Sequence, residues 1–472
     1  MKDFDLIVLG GGSAGYAAAC TATQLGLRVA VVEGGAEVGG LCILRGCMPS
    51  KALIESANRS LAIRGAGVFG LEVDPPTVLP DAIHARKARH VAEFADYRAK
   101  QLESGRFAFF RGWAGFIDPH TIEIRAQDGT ARRLTAETFL LATGSRPRPV
   151  EIPGLAEAGF LDSDAVLSQA HLPRSVAILG GGPTAVEFAH YYSGLGAQVT
   201  LIQRSEQLLK EMDGDIARTL GEAFRKRGLR VYCHTELKRI QPGPNGGKEI
   251  IFCHNGKTRG IEAEEIVCAL GRIPQLEGLD LANAGLETTR GYLSVNAAQQ
   301  TSVPHIFAAG DVAGPYEVVH IAIQQGELAA RNAARMVKEA ADKGNRPMEE
   351  IDYRLRLFAV FTEPEIAAVG VTEQELQGEG VPYRVASYPF GDHGKAILME
   401  ETSGFVKLLA SEETGEIVGG AVIGPRASEL IQEIVVAMRF HATARQLMEI
   451  PHYHPTLSEI WTYPAEELAE GM

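Results

Sequence analysis

No apolar run in this 472-residue chain approaches the ~18 residues needed to span a bilayer. Its opening, MKDFDLIVLG, puts Asp3 and Asp5 where a secretory segment needs basic and then apolar residues. A soluble, cytoplasmic protein with no membrane partner is expected. Positive charge is also short: 46 Lys and Arg face 59 Asp and Glu, for a formal charge of −13. A protein that neutralises phosphate backbones concentrates the opposite sign, so no nucleic-acid partner is expected. Six cysteines are too few for a secreted disulfide scaffold, and a closely spaced pair among them reads as redox or metal chemistry. Low-complexity arms and repeats are absent, which leaves little for a purely structural docking role.

Glycine, by contrast, is plentiful, at 52 of 472 residues against about 7% in ordinary proteins. Length suggests about three domains at roughly 150 residues each. The first 35 residues read as a strand (Asp5 to Leu9), a glycine turn, a helix from about Ser13 to Leu25 and a strand, RVAVVE, ending at Glu33. The turn, Gly10-Gly-Gly12-Ser13-Ala14-Gly15, fits GxGxxG, and Glu33 follows Gly15 by 18 residues. In that context bare backbone can approach a pyrophosphate, a helix N-terminus supplies N–H donors, and the acid accepts from a ribose hydroxyl.

A second unit of the same kind starts at Ser175, with the strand SVAILG, the turn Gly180-Gly-Gly182-Pro-Thr-Ala185, a helix through His190 and the strand QVTLI ending at Ile202. Here alanine takes the third glycine position, and Gln203-Arg204 stand where a ribose-binding acid is expected. A neutral residue followed by arginine removes repulsion against a 2′-phosphate and offers it a bidentate partner, with Lys210 as a second charge. NADPH is therefore expected in preference to NADH. Pro-rich loops lie at Ser145–Gly154 and Gln241–Gly247, and Asp81 to Gly105 has helical spacing. After about Pro347 short strands (LFAVF, GFVKLLA, GEIVGGAVIG) and the helix ASELIQEIVVAMRF suggest a separate α+β domain.

Two dinucleotide sites in one chain imply electrons passing between two cofactors, which draws attention to GGLCILRGCMPSK, Gly39 to Lys51. Side chains five apart on an ideal helix point about 140° from each other, so a Cys42–Cys47 disulfide needs a distorted turn, and Pro49 limits helix propagation before it. A strained, accessible disulfide is a reducible one. A zinc site would need two further ligands at paired spacing, and Cys233, Cys253 and Cys268 form no CxxC; no metal is expected. Those three and Cys20 are expected to pack inside as small apolar residues.

With these motifs the chain resembles the pyridine nucleotide–disulfide oxidoreductases, the flavoprotein family that includes dihydrolipoamide dehydrogenase, glutathione reductase and mercuric reductase. The resemblance covers nearly the whole chain and extends to FLLATGSRP (Phe139–Pro147), TSVPHIFAAGDVAG (Thr301–Gly314), FTEPEIAAVGVTEQE (Phe361–Glu375) and HYHPTLSE (His452–Glu459). It implies an α/β fold with two Rossmann-like dinucleotide-binding domains and a C-terminal α+β dimerisation domain. The segments would be 1–150 and 273–346 for FAD, 151–272 for the nicotinamide nucleotide and 347–472 for the interface of a homodimer.

Carried over position by position, the resemblance implies that Gly10, Gly12, Ser13, Ala14, Gly15, Glu33, Gly40, Lys51, Thr143, Gly144, Gly310 and Asp311 hold FAD. Gly180, Gly182, Ala185, Glu187, Gln203, Arg204, Lys210 and Gly271 would hold the nicotinamide nucleotide. Cys42 would be the interchange thiol that attacks the substrate disulfide, Cys47 the thiol beside the flavin, and Lys51 with Glu187 an ion pair near flavin N5. His454 would be the acid/base, oriented by Glu459, its HPTLSE segment lent to the partner's active site; for His452 a part in that chemistry and a role in positioning the loop both stay open. The physics agrees, because a thiol with pKa near 8.5 is mostly protonated at neutral pH and an imidazole can take its proton.

The chain departs from the family pattern at Leu41, where threonine is usual, and at Ile43-Leu44-Arg45 between the cysteines. Arg45 there is expected to lower thiol pKa and attract an anionic substrate. PSK and HPTLSE favour a dihydrolipoamide-dehydrogenase-like enzyme acting on a small-molecule or lipoyl disulfide, whereas Ala185, Gln203, Arg204 and Lys210 resemble the NADPH-using glutathione reductase branch. Mercuric ion handover is disfavoured, since WTYPAEELAEGM carries no cysteine pair and no metal-binding domain precedes Met1. The rivals are a glutathione- or mercuric-reductase-like NADPH enzyme, and a flavin or quinone reductase or redox-sensing subunit with incidental cysteines.

Overall fold

The computed structural model describes residues 2–342 and 347–470. The chain divides into two compact units, Met1–Ala52 with His84–Arg148 and Gly271–Asp352, and Leu53–Ile83 with Pro149–Leu270 and Tyr353–Met472. The expected boundary at 346/347 begins at a residue outside the described ones.

In the first unit the β-branched strand Val29–Glu33 and the apolar strand Phe4–Leu9 lie parallel at the centre of a sheet, buried on both faces as such runs require. Ala108–Arg111 flanks one side, and Ala131–Leu141 then Ile306–Ala308 the other. The 11-residue strand Ala131–Leu141 does double duty: residues 136–141 pair with Phe4–Leu9, and residues 131–135 turn to Thr121–Arg125 in an antiparallel meander. Helices Ser13–Gln24 and Val319–Asp342 cover one face. They touch at Gly326, where a methyl group would lie 2.3 Å from Ala14 O.

The second unit repeats the strand–turn–helix–strand theme. Ser175–Leu179 and Gln198–Ile202 pair in parallel, flanked by Arg230–Tyr232 and Glu265–Cys268, with helix Pro183–Gly194 four residues longer than its sequence suggests. The Gln241–Gly247 loop closes a hairpin between Thr235–Pro242 and Lys248–His254. Beyond it, an antiparallel sheet runs Leu357–Val360, Glu365–Gly370, Ile417–Gly424, Phe405–Ser411, Tyr383–Pro389, and helix Ala427–Arg439 packs on it through Leu430, Ile431 and Ile434. Among the described residues no helix is long and apolar enough to cross a membrane.

Within this unit Lys407 is 2% exposed, and its ammonium meets Asp213 at 2.7 Å, Asp215 at 2.9 Å and Glu373 at 3.0 Å. Asp213 also accepts from the backbone N–H groups of Glu373 and Gln374, fixing the first turn of helix Glu373–Glu379. Removing one partner of such a cluster leaves buried charge uncompensated, so Lys407→Met is expected to lower unfolding free energy by about 3–5 kcal/mol. Urea titration followed by circular dichroism checks it.

Candidate active site

The first glycine turn is closed by contacts only bare backbone permits. Gly10 has φ +108°, and a methyl group there would lie 2.3 Å from Ala142 O; one on Gly15 would lie 1.9 Å from Gly10 O. Helix Ser13–Gln24, capped by Gly12 without a side-chain hydrogen bond, leaves its first N–H groups to a ligand, with Ser13 and Ala14 in that first turn. The Glu33 carboxylate accepts from the N–H of Gly11 and of Gly35, both at 2.8 Å, which places it beside the turn. Gly12 itself abuts Gly40: with φ +71°, Gly40 would carry a methyl group 2.5 Å from Gly12 Cα. This cradle, which side chains would fill, fits a dinucleotide pyrophosphate.

Gly40 opens the helix Gly40–Arg45, which carries Cys42. The chain breaks at Gly46 (φ −136°, ψ −116°) and a new helix, Cys47–Arg64, begins at the second cysteine. That break is the distorted turn the spacing calls for. Pro49 does not end a helix; it sits in the first turn of the second one, where its missing N–H has no intrahelical acceptor to lose. The two cysteines are thiols in hydrogen-bonding contact, and Lys51 lies one turn beyond Cys47 on the same helix. The contact with Cys47 and burial push the Cys42 thiol well above its ordinary range, with Lys51 opposing. Arg45, expected to lower that pKa, instead pairs with Glu37 at 3.0 Å on the surface. Of the other cysteines Cys268 is buried, while Cys20, Cys233 and Cys253 are only partly so, Cys20 and Cys233 packing against the margins of the cores.

Thr143 and Gly144 follow the long strand. The Thr143 hydroxyl donates to Gln275 O at 2.7 Å, and Gln275 N–H donates to Gly144 O at 2.9 Å. Gly310 (φ +78°) gives its N–H to Gln325 Oε1 at 2.7 Å. Asp311 accepts from Ser145 Oγ at 2.6 Å, and that hydroxyl accepts from Arg272 Nε at 2.9 Å. Gly271, expected on the nicotinamide side, belongs to this first unit and accepts from Arg148 N–H at 3.1 Å.

The second unit reproduces the turn. Gly180 (φ +124°) would place a methyl group 2.3 Å from Ala269 O, the counterpart of Gly10 against Ala142. Gly182 caps helix Pro183–Gly194, and Ala185 is fully buried without conflict. Gln203 is buried against Gly181, its Oε1 accepting from Arg204 N–H at 3.0 Å, and the Arg204 side chain is exposed. Lys210 pairs with Glu211 at 3.0 Å. Glu187 is buried and accepts from Phe361 N–H at 3.1 Å. Its expected partner Lys51 lies in the first unit.

Also in the second unit, His454 Nδ1 lies 3.0 Å from Glu459 Oε2; the histidine is 79% exposed and the glutamate 12%. His452 is held by Glu433 at 2.6 Å and by Ile450 O at 2.8 Å. Thus the structure brings Cys42, Cys47 and Lys51 together in the first unit and His454 with Glu459 in the second.

Residues 4–326 match the family model described as pyridine nucleotide-disulphide oxidoreductase, and residues 358–465 match its dimerisation domain. The chain belongs to the pyridine nucleotide-disulphide oxidoreductase family. Relatives of this family include the dihydrolipoyl dehydrogenases of Chlamydia trachomatis, 36% identical over 98% of this chain and 96% of that one, and of Thermus scotoductus, 35% identical over 99% and 98%. The crystal structure of LpdA from Mycobacterium tuberculosis superimposes with a TM-score of 0.85 at 30% identity, covering 98% of this chain and 99% of that one. The chain is accordingly a flavoprotein oxidoreductase acting on sulfur groups, with an FAD-binding fold.

For a member of this family, sequence reading overlooked several residues. Gln325, fully buried, bridges Gly310 N–H to Gly314 O, and Ser145 with Arg272 holds Asp311. Ser145 lies inside the quoted FLLATGSRP motif, so its place beside the glycine was a signal; Gln325 sits in a plain amphipathic helix and gave none.

Proposed function

We propose that the chain, as a cytoplasmic homodimer, transfers electrons between a nicotinamide dinucleotide and a lipoyl-type disulfide through FAD and the Cys42–Cys47 pair. The observation that carries this reading is the cysteine pair mounted at the Gly46 break, with its first helix starting on the Gly12–Gly40 contact. Bound FAD supplies the two-electron relay between nicotinamide and cysteines. Gly10, Gly12, Gly15, Glu33 and Gly40 would hold it, with Lys51 one turn beyond Cys47 and Asp311 held by Ser145. Because the Cys42 thiol is pushed up by Cys47 and burial, its thiolate needs a base, the role assigned to His454 held by Glu459.

The Cys42 thiolate attacks one sulfur of the substrate disulfide, forming a mixed disulfide and expelling a thiolate that takes its proton from the His454 imidazolium. Cys47 then attacks Cys42 Sγ, the Cys42–Cys47 disulfide forms, and the second substrate thiol leaves with a proton. Two electrons have passed from the protein dithiol to the substrate, and the reverse sequence oxidises a dithiol. Ping-pong kinetics with lipoamide as the varied disulfide, and loss of that turnover after iodoacetamide treatment of the reduced protein, test the reading. Turnover that survives alkylation favours a flavin-only reductase.

NADPH is the preferred nicotinamide in this reading. Neutral, internally bonded Gln203 would add no charge at the ribose, and exposed Arg204 would be free to meet a 2′-phosphate; Lys210, engaged by Glu211, would contribute less. Arg204→Ala is expected to lower kcat/KM for NADPH on the order of tenfold or more, a charge-assisted hydrogen bond's worth, and to spare NADH. A wild-type enzyme faster with NADH would sink the preference.

A further inference from the structure

Glu459 faces a second imidazole. His393 stands between the turn Phe390–Asp392 and the helix Gly394–Leu398, its side chain is 0% exposed, and its Nε2 lies 3.4 Å from Glu459 Oε1. Neither ring nitrogen makes a hydrogen bond, so Glu459 Oε1 stands within ion-pair reach of Nε2 without being bonded to it. The rest of its surroundings are aromatic: Phe390 and Tyr463 stand edge-on, with ring centroids 6.5 Å and 6.3 Å away, and Tyr463 stacks on Tyr388 at 3.9 Å. A fully buried imidazole in such a shell is costly unless a polar group meets it, and Glu459 is the group presented.

Both residues are fixed by one core. Phe390 and Ala396 flank His393, Ile460 and Trp461 follow Glu459, and all four belong to the same buried cluster. Trp461 donates its indole N–H to Leu430 O at 3.1 Å, and Thr462 donates to Glu459 O at 2.7 Å, so the glutamate backbone is anchored. Its carboxylate therefore stands between an exposed imidazole, His454, and a buried one.

We propose that His393 is a positioning residue of the acid/base pair: its buried ring, with Nε2 3.4 Å from Oε1, confines the Glu459 carboxylate so that it stays aligned on His454 Nδ1. The proposal rests on the reading of His454 as the acid/base. Burial holds His393 toward its neutral form, Glu459 pulls the other way, and His454 adds to the burial effect. The other titratable groups around His393 are Tyr463, Tyr388 stacked on it, and the adjacent Asp392, and of all its neighbours Glu459 and His454 are the ones that act on its charge.

The test compares His393→Leu, His393→Gln and His454→Gln holoenzymes by rapid mixing, with ¹³Cε1-histidine NMR as the second readout. His393→Leu is expected to slow reoxidation of the reduced enzyme by lipoamide about tenfold, as loss of an orienting partner does elsewhere. Flavin reduction by the nicotinamide should be unchanged. The His454 titration midpoint should fall, because a misaligned carboxylate stabilises the imidazolium less, and His393→Gln should restore most of both. In the wild-type protein, which involves no folding risk, the His393 resonance should shift at the His454 midpoint. Absence of that shift overturns the proposal. So does a His393→Leu enzyme with normal reoxidation beside an inactive His454→Gln, or one slowed equally in both half-reactions with no recovery in His393→Gln. Full lipoamide turnover by His454→Gln would instead overturn the acid/base reading itself.

Discussion

Replacing Cys42 by serine is expected to cut lipoamide-linked turnover by about three orders of magnitude or more while leaving the flavin reducible by the nicotinamide nucleotide. A hydroxyl in place of the thiol offers no comparable nucleophile at neutral pH. Cys47 opens the second helix at the Gly46 break, where bare backbone is required: a methyl group there would lie 2.9 Å from Leu41 O and 3.2 Å from Cys42 Cα. Cys47→Ser gives a different signature. Cys42 can still attack, but nothing resolves the mixed disulfide, so one substrate equivalent should accumulate on Cys42 and appear in intact-mass spectra of the reduced, lipoamide-treated protein. Stopped-flow absorbance of the flavin, followed separately for each half-reaction, decides the first prediction. A Cys42→Ser protein with wild-type lipoamide reduction would remove the dithiol from the mechanism.

What the sequence made legible is what the backbone demands locally. Gly10 and Gly180 occupy equivalent turns, both at positive φ and both pressed on a carbonyl at the end of the next strand, Ala142 or Ala269. Such a requirement can be met by one residue type only, so it is written into the letters. The cysteine pair was legible for the same reason, since five-residue spacing forces a break and Gly46 supplies it. Side-chain partnerships across long separations leave no such mark. His393 meets Glu459 across 66 positions of chain, and Lys407 meets Asp213 and Glu373, yet His393, Lys407, Asp213 and Glu373 each read alone as an ordinary surface or loop side chain. Charge was the least legible property. Arg45 and Lys210 looked like anion-binding groups and are each engaged by a neighbouring glutamate, Glu37 and Glu211, because a surface with 59 acids rarely leaves a cation alone. The grouping of Leu53–Ile83 with the second unit was hidden as well, because Leu53, Ile54 and Ala57 have the helical periodicity of any buried face and carry no sign of which core they enter.

The two fingerprints also differ where one methyl group decides the outcome. At the third glycine position the first turn has Gly15 and the second has Ala185. In the first, the added methyl would lie 1.9 Å from Gly10 O and 3.1 Å from a Val8 methyl, so helix and strand cannot both keep their places. In the second, Ala185 is buried, and its Cβ leaves 3.6 Å to a methyl on Gly180. Gly15→Ala is therefore expected to push helix Ser13–Gln24 off the sheet, withdraw its first N–H groups from the pyrophosphate, and yield colourless protein destabilised by about 3 kcal/mol or more. Ala185→Gly, by contrast, removes a small buried side chain and adds backbone entropy in a helix, a loss of about 1 kcal/mol, and the protein should remain yellow. The flavin-to-protein absorbance ratio of the two purified variants, with thermal unfolding of each, measures the contrast. A yellow, stable Gly15→Ala protein would mean that the close helix–strand approach is not what holds the flavin cradle.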